Sequence, residues 1–176
     1  MVFRILRVLL LTLWLIPSHL FAQEQIITNE LSLEELRPGQ SLQLTIVYNS
    51  TNNEKTAGLG LRLHFDSSAI ELGDVTERLT EAALPFQIKN DSSNLDNNDD
   101  TDKYFLTAWA DTSGQGWPYN SSLPVTLYSL PITAKSEFNN TTLHFSGYTA
   151  VGYSLNANNI VVPLAIKQII SLVGQS

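Results

Sequence analysis

Oxygen-bearing side chains recur at every second position in one polar stretch of the chain. They are Asp96, Asn98, Asp100 and Asp102, with Asp99 between them. Calcium takes roughly six to eight oxygen ligands from carboxylates, amides and carbonyls, so a loop with this spacing can wrap the ion. The stretch begins like an EF-hand, but Thr101 and Thr107 stand where that motif requires glycine and glutamate. The spacing therefore predicts a candidate calcium site of another kind.

Two interpretations of this stretch remain open. In the first, calcium relieves the repulsion among the crowded carboxylates, and Asp111 completes the site if the loop folds back towards it. In the second, residues 90–102 form a solvated, flexible acidic loop that holds no ion. Calcium is the one cofactor that the sequence suggests. A chain without cysteine also offers no thiolate metal site.

Trp117 and Tyr119 form a second candidate site, in a loop that also contains Gly114 and Gly116. Exposed aromatic rings can stack on the apolar faces of sugars, which predicts a carbohydrate platform. The alternative is that Trp117 plugs one end of the fold. His64 and His144 each lie between apolar neighbours in an alternating run, so both should face outward.

Enzyme signatures are absent from the sequence. It contains no G-x-S-x-G elbow, no cysteine nucleophile, no H-E-x-x-H and no phosphate loop. Paired carboxylates such as Glu71 and Asp74 could serve a small exported hydrolase, but nothing distinguishes them from surface acids. We therefore expect a protein that is not an enzyme.

Large apolar residues at every second position dominate the elements that must position these loops. Residues 42–48 (LQLTIVY) and 59–65 (LGLRLHF) are typical of strands with one buried face. Residues 104–110 are apolar on both faces and predict a central strand. Residues 74–84 are the one helix candidate, ended by Pro85. Further strands are expected near residues 69–72, 86–89, 125–134, 141–145, 148–155, 160–166 and 169–173. About eight or nine short strands, with at most one short helix, predict an all-β antiparallel sandwich or jelly roll.

The N-terminus is typical of a secretory signal peptide. Arg4 and Arg7 precede the apolar run VLLLTLWLI at residues 8–16, and Ala22 leads into a polar, acidic start. The run is too short to span a membrane, which takes about 20 apolar residues. We expect residues 1–22 to be removed and residues 23–176 to form one domain, with an uncleaved N-terminal anchor as the alternative. The mature domain should not insert stably into a membrane, and should be periplasmic, on the cell surface or extracellular.

The net charge of the mature chain limits the classes of partner that it can bind. Losing Arg4 and Arg7 leaves eight of the ten basic residues against seventeen acids, a formal net charge of −9. Binding to phosphates needs clustered Lys and Arg, so nucleic acid is excluded as a partner. Acidity is compatible with calcium, neutral sugars and basic proteins.

Two segments resemble cohesin-type domains. Pro38-Gly39-Gln40 precedes an alternating strand, and residues 58–72 (GLGLRLHFDSSAIEL) run through an aromatic-Asp turn into a short hydrophobic strand. Residues 126–147 (TLYSLPITAKSEFNNTTLHFSG) are similar to a later hairpin of that family. The resemblance covers residues 30–165 and implies a nine-stranded jelly roll, related to carbohydrate-binding modules, that serves as a non-catalytic protein-binding or surface module. Residues 94–111 resemble a segment of cohesin-like domains in large bacterial surface proteins.

The sequence thus predicts an exported binding or adhesion module that engages a protein partner at the bacterial envelope or outside the cell. The alternatives are a carbohydrate-binding module that takes a polysaccharide through Trp117 and Tyr119, a small exported hydrolase, and a purely structural envelope domain.

The signal peptide gives a first prediction. N-terminal sequencing of the exported protein should begin at Gln23, because the small side chain of Ala22 suits the cleavage site. Replacing Ala22 with Phe should slow processing. An exported protein that retains residues 1–22 would instead indicate the anchor.

Overall fold

The computed structural model describes residues 24–33, 35–118, 120–147, 164–166 and 170–174. Within these ranges the chain forms twelve strands and one 3-10 turn, Thr51–Asn53. None of the described helices is long and apolar enough to cross a membrane. The predicted signal peptide and the strands expected at residues 148–155 and 160–163 lie outside the described residues.

The strands make two six-stranded sheets. Sheet one contains β1 Gln25–Leu31, β3 Ser41–Ser50, β5 Ile70–Leu72, β6 Glu77–Arg78, β9 Val125–Ala134 and β11 Leu164–Ile166. Its order is β11-β1-β3-β9-β5, and β6 also pairs with β9. Sheet two contains β2 Glu35–Leu36, β4 Gly58–Phe65, β7 Gln87–Asn90, β8 Lys103–Ala110, β10 Asn140–Gly147 and β12 Ile170–Gly174, in the order β2-β12-β10-β4-β8-β7.

Alternating side chains bring the two sheets together. In β3 every second residue from Leu42 onward is buried, and Leu44 lies opposite Leu130 of β9. In β4 the core residues Leu61 and Leu63 alternate with outward-facing ones. Successive strand residues point to opposite faces, so these positions close a shared interior. The predicted all-β sandwich is confirmed. Its ladders are antiparallel apart from two parallel pairs, β1 with β11 and β2 with β12.

A cluster of aromatic rings fills one end of the core. Trp117 is fully buried, with its ring centroid 4.7 Å from that of Tyr48 and 5.8 Å from that of Trp109. The indole Nε1 of Trp109 donates to the carbonyl of Leu79 at 3.0 Å, and that of Trp117 donates to the carbonyl of Glu81 at 3.3 Å. The buried rings thus retain hydrogen bonds to the segment that crosses this end.

The helix expected at residues 74–84 is wrong, because this segment contains the short strand β6 and a turn at residues 80–83 instead. The amides of Thr76 and Leu79 donate to carbonyls of β9 at 2.9 and 2.8 Å. Further along, the amide of Leu84 donates to Ala108 of β8 at 2.9 Å, and Ala110 donates back to Ala82. Backbone groups that the sequence pattern assigned to a helix are therefore bonded to the edges of both sheets. We call residues 74–84 the crossing segment.

The burial of Trp117 gives a second prediction. Trp117→Ala should lower the free energy of unfolding by about 3–5 kcal/mol, because it removes a large buried ring and leaves a cavity. Chemical denaturation followed by circular dichroism measures the change. Ile88→Thr, at a residue that is 52% exposed in a short strand, is the matched control and should change stability by less than about 0.5 kcal/mol. Equal losses in the two variants would contradict the buried position of Trp117.

Candidate functional site

The acidic stretch folds onto the outer face of sheet two. We call residues 91–102, which connect β7 to β8, the acidic loop. His64 of β4 alternates with core residues and points away from the core, as expected, but it is fully buried rather than exposed. The acidic loop covers it, and that is why an outward-facing side chain is buried. His144 lies opposite His64 in the β4–β10 ladder and is half-buried.

A series of hydrogen bonds between side chains attaches the acidic loop to sheet two. The Nδ1 atom of His64 lies 2.8 Å from Oδ2 of Asp91, and its Nε2 atom lies 2.7 Å from Oγ of Ser146 on β10. The side chains of His64 and Asp91 have no exposed surface. The amide of Leu95 donates to both oxygens of Asp91, at 3.0 and 3.2 Å. Because buried charges and polar groups are costly unless paired, these bonds fix the loop in place.

Asparagines shape the loop. Asn94 and Asn97 adopt left-handed backbone conformations, with φ of 47° and 54°, which asparagine tolerates better than most residues. The Oδ1 atom of Asn94 accepts the amide of Asn98 at 2.7 Å, and its Nδ2 atom donates to Asp99. The asparagine content thus indicates a sequence of tight turns. It does not require the solvated, flexible loop that was the alternative to a calcium site.

Four of the five predicted calcium ligands have separate side-chain partners in the structure, and the fifth, Asp100, is exposed. Asp96 accepts from the hydroxyl of Thr101 at 3.0 Å, and Asn98 lies 3.2 Å from His144. Asp102 accepts from Ser67, through its amide at 2.7 Å and its hydroxyl at 2.6 Å. Asp111 accepts from Ser113 and from the amide of Gly116. Burial raises the pKa of Asp102, but the bonds from Ser67 and the charge of Lys103 outweigh it, so that the pKa lies below its usual value.

Asp111 does not join the others. Asp102 immediately precedes β8 and Asp111 immediately follows it, and a strand of eight residues spans roughly 26 Å. The hydroxyl of Ser113 is the main cause of the lowered pKa of Asp111. Asp100 and Asp102, by contrast, line an open groove with Asp66 and Asp99. Calcium binding by the acidic loop stays a prediction, without Asp111 as a ligand.

In the second candidate site, the predicted carbohydrate platform, the tryptophan ring is not exposed. Trp117 is buried in the core, so it cannot stack on a sugar, and the alternative that it plugs one end of the sandwich agrees with its position. Tyr119 lies outside the described residues. Pro118 is also buried.

Ser146, His64 and Asp91 lie in the hydrogen-bond order of a hydroxyl nucleophile, a base and an orienting carboxylate. Such a relay needs a base that can exchange a proton with a bound substrate. His64 has no exposed surface, so a substrate has no access to its ring in this conformation. We interpret these bonds as the attachment of the acidic loop. The sequence pattern did not identify Asp91 or Ser146, because their relation to His64 depends on contacts 27 and 82 residues apart.

This attachment gives a third prediction. Asp91→Ala should lower the free energy of unfolding by roughly 3–5 kcal/mol, because it leaves His64 buried without its partner. Hydrogen exchange at the Leu95 amide should accelerate more than exchange in β3. The control is Asp100→Ala, on the exposed side of the same loop, which should stay within about 0.5 kcal/mol of the parent. Unchanged protection of Leu95 in Asp91→Ala would show that the loop is held by other contacts.

Comparisons with known proteins agree on the fold. No family model matches the chain, and no curated protein matches it. Among solved structures, a cohesin of Clostridium acetobutylicum, CaCohA2, aligns with a TM-score of 0.57 at 10% identity, covering 86% of this chain and 91% of that one. The sixth cohesin of scaffoldin B from Acetivibrio cellulolyticus, solved with the Cel5 dockerin, aligns with a TM-score of 0.56 at 11% identity over 88% and 99%.

A third structure, the Coh-OlpA–Doc918 complex of Clostridium thermocellum, has a TM-score of 0.57 at 8% identity, covering 85% of this chain and 99% of that one. The alignments cover nearly the whole length of each cohesin. The sequence identity is too low to transfer a binding surface from them to this chain. The chain is therefore similar to cohesins in architecture, and the match shows a cohesin-type β-sandwich fold.

Proposed function

We propose that this chain is an exported, non-catalytic module that binds a protein partner. The observation that carries the proposal is its cohesin-type sandwich, because two of the similar structures are cohesins solved in complexes with dockerins. Binding of a protein partner is a property of those cohesins, and the proposal extends it to this chain. Export is part of the proposal and rests on the signal-like residues 1–22.

The burial of two candidate functional groups favours protein binding over the alternatives. A hydrolase that used His64 as its base would need that ring to be accessible, whereas it is enclosed between the sheet and the acidic loop. Glu71 and Asp74, the paired acids considered for this alternative, are exposed on the surface. A carbohydrate module would need an exposed ring, and Trp117 is in the core. The reasons for proposing either activity from those residues are correspondingly weaker.

The edge of sheet two offers a surface for a partner. Strand β7 pairs with β8 on one side and is the last strand of the sheet among the described residues. All four of its residues are exposed, and Ile88 is 52% exposed. An open strand edge can pair with an extended segment of another protein, and an exposed aliphatic side chain adds apolar contact. We therefore place the contact at β7.

The test begins with the mature domain, residues 23–176, immobilised and exposed to envelope and secreted proteins of its source organism. A captured protein is then produced separately, and its affinity is measured by biolayer interferometry. Ile88→Asp should weaken binding at least tenfold, because it places a charge in the apolar contact. Val173→Asp is the matched control. Val173 is 49% exposed on β12, near the other edge of sheet two, and its substitution should change affinity less than twofold.

Two outcomes would contradict the proposal at different levels. Equal affinities for the parent and Ile88→Asp would move the contact away from β7 while leaving a protein-binding module. Failure to bind any protein, together with specific signals on a glycan array, would instead favour the carbohydrate-binding alternative.

A further inference from the structure

His64 and two carboxylates meet beneath the acidic loop in a way that the loop attachment alone does not explain. Besides the contact with Asp91, Nδ1 of His64 lies 3.8 Å from Oδ1 of Asp96. One ligand atom from each of the three residues lies within 4.8 Å of the other two. The side chain of Asp96 is 3% exposed, so all three donors are withdrawn from solvent.

We propose that His64, Asp91 and Asp96 bind one divalent transition-metal cation, of which Zn²⁺ is the representative. This site differs from the predicted calcium site in its histidine and in Asp91. It also goes beyond the proposed protein-binding function, since metal binding is measured without any partner.

The charges of the cluster favour a cation. Two carboxylates carry two formal negative charges, whereas one imidazole supplies at most one positive charge. Buried charges are tolerated when they are paired or coordinate metals. Arg62, two residues along β4, has its guanidinium over the Tyr104 ring at 5.5 Å and donates from Nη1 to Gly147. A divalent cation among the three donors would balance both carboxylates.

Each donor is also oriented by a further contact. Ser146 lies 2.7 Å from Nε2 of His64, so that nitrogen can keep its proton and donate it while Nδ1 binds the metal. The amide of Leu95 holds Asp91, and the hydroxyl of Thr101 holds Asp96. Metal-binding histidines and carboxylates are commonly fixed in this way, which sets the histidine tautomer and the ring orientation.

The donor types indicate the class of metal. Calcium and magnesium prefer sets made only of oxygen, whereas imidazole suits zinc, iron, nickel and copper. Neighbouring ligands in a tetrahedral zinc site are roughly 3.3 Å apart, given metal–ligand distances of about 2.0–2.2 Å. The distances of 2.8 Å to Asp91 and 3.8 Å to Asp96 lie on either side of that value. Shifts of about half an ångström, of Asp96 towards Nδ1 and of Asp91 away from it, would reach that spacing and leave a fourth position for water.

Calorimetry on the metal-stripped mature protein tests the site. Zn²⁺ should bind with a stoichiometry of one and raise the melting temperature. Asp96→Asn should weaken binding at least tenfold, because it removes a charged ligand while keeping an oxygen that can accept from Thr101. Asp100→Asn, four residues along the same loop and exposed, removes the same charge outside the cluster and should bind as the parent does.

Long-range proton–nitrogen NMR of the histidine rings identifies the ligand atom in the unsubstituted protein. Zinc should shift Nδ1 of His64 and leave Nε2 protonated, with His144 unchanged. This measurement decides the question even if Asp96→Asn fails to fold. Absence of stoichiometric binding, equal affinities in the parent and Asp96→Asn, zinc bound at His144, or a response to calcium without one to zinc would each overturn the proposal. None of these results bears on whether the domain binds a protein through β7.

Discussion

Strand β4 is buried on both faces, and much of the molecule depends on how that burial is achieved. Its inner residues, including Leu61 and Leu63, pack into the sandwich by the hydrophobic effect. Its outer face carries His64, whose ring would be costly to bury without partners. Asp91 and Ser146 supply those partners. The same strand therefore joins an apolar interior to a polar layer on the other side of sheet two.

The hydrogen bonds of this polar layer order the acidic loop, although its composition is typical of a flexible loop. Left-handed asparagines turn the backbone, and their amides bond within the loop. Thr101 is buried beside Asp96, and Asp102 anchors the end of the loop to Ser67. The low identity to solved cohesins fits this division of roles. A sandwich core needs only alternating apolar residues, which many sequences provide, whereas a loop of specific hydrogen bonds depends on individual side chains.

How much of the fold the sequence predicts depends on whether the relevant contacts lie within one element or join residues distant along the chain. β3 and β4 were predictable because large apolar residues alternate within each strand, and β8 because its run is apolar on both faces. β1 was missed because its sequence, QIITNEL, has two adjacent isoleucines and a polar end. The two-residue strands β2 and β6 are too short to show any period. They contribute to the difference between twelve strands and the eight or nine expected.

Two features that the local sequence did not reveal have a common cause. Residues 74–84 have weak helical spacing, yet their amides bond to β8 and β9, which lie far along the chain. His64 faces outward as its alternation predicts, yet a loop 27 positions away covers and buries it. In both cases the local pattern is present in the sequence, but contacts with residues distant along the chain determine the conformation or the burial. For Trp117 the loop position left both an exposed platform and a buried plug open, and its ring packs against Tyr48 and Trp109 in the core.

The crossing segment has a consequence for colloidal behaviour. By bonding to β9 and then to β8, it occupies backbone groups that would otherwise offer a template for intermolecular sheet growth. The edge left at β7 is four residues long and includes Lys89. Short edges that carry a lysine resist pairing with copies of themselves. A β-rich domain built this way should have little tendency to form fibrils through that edge, even at high concentration.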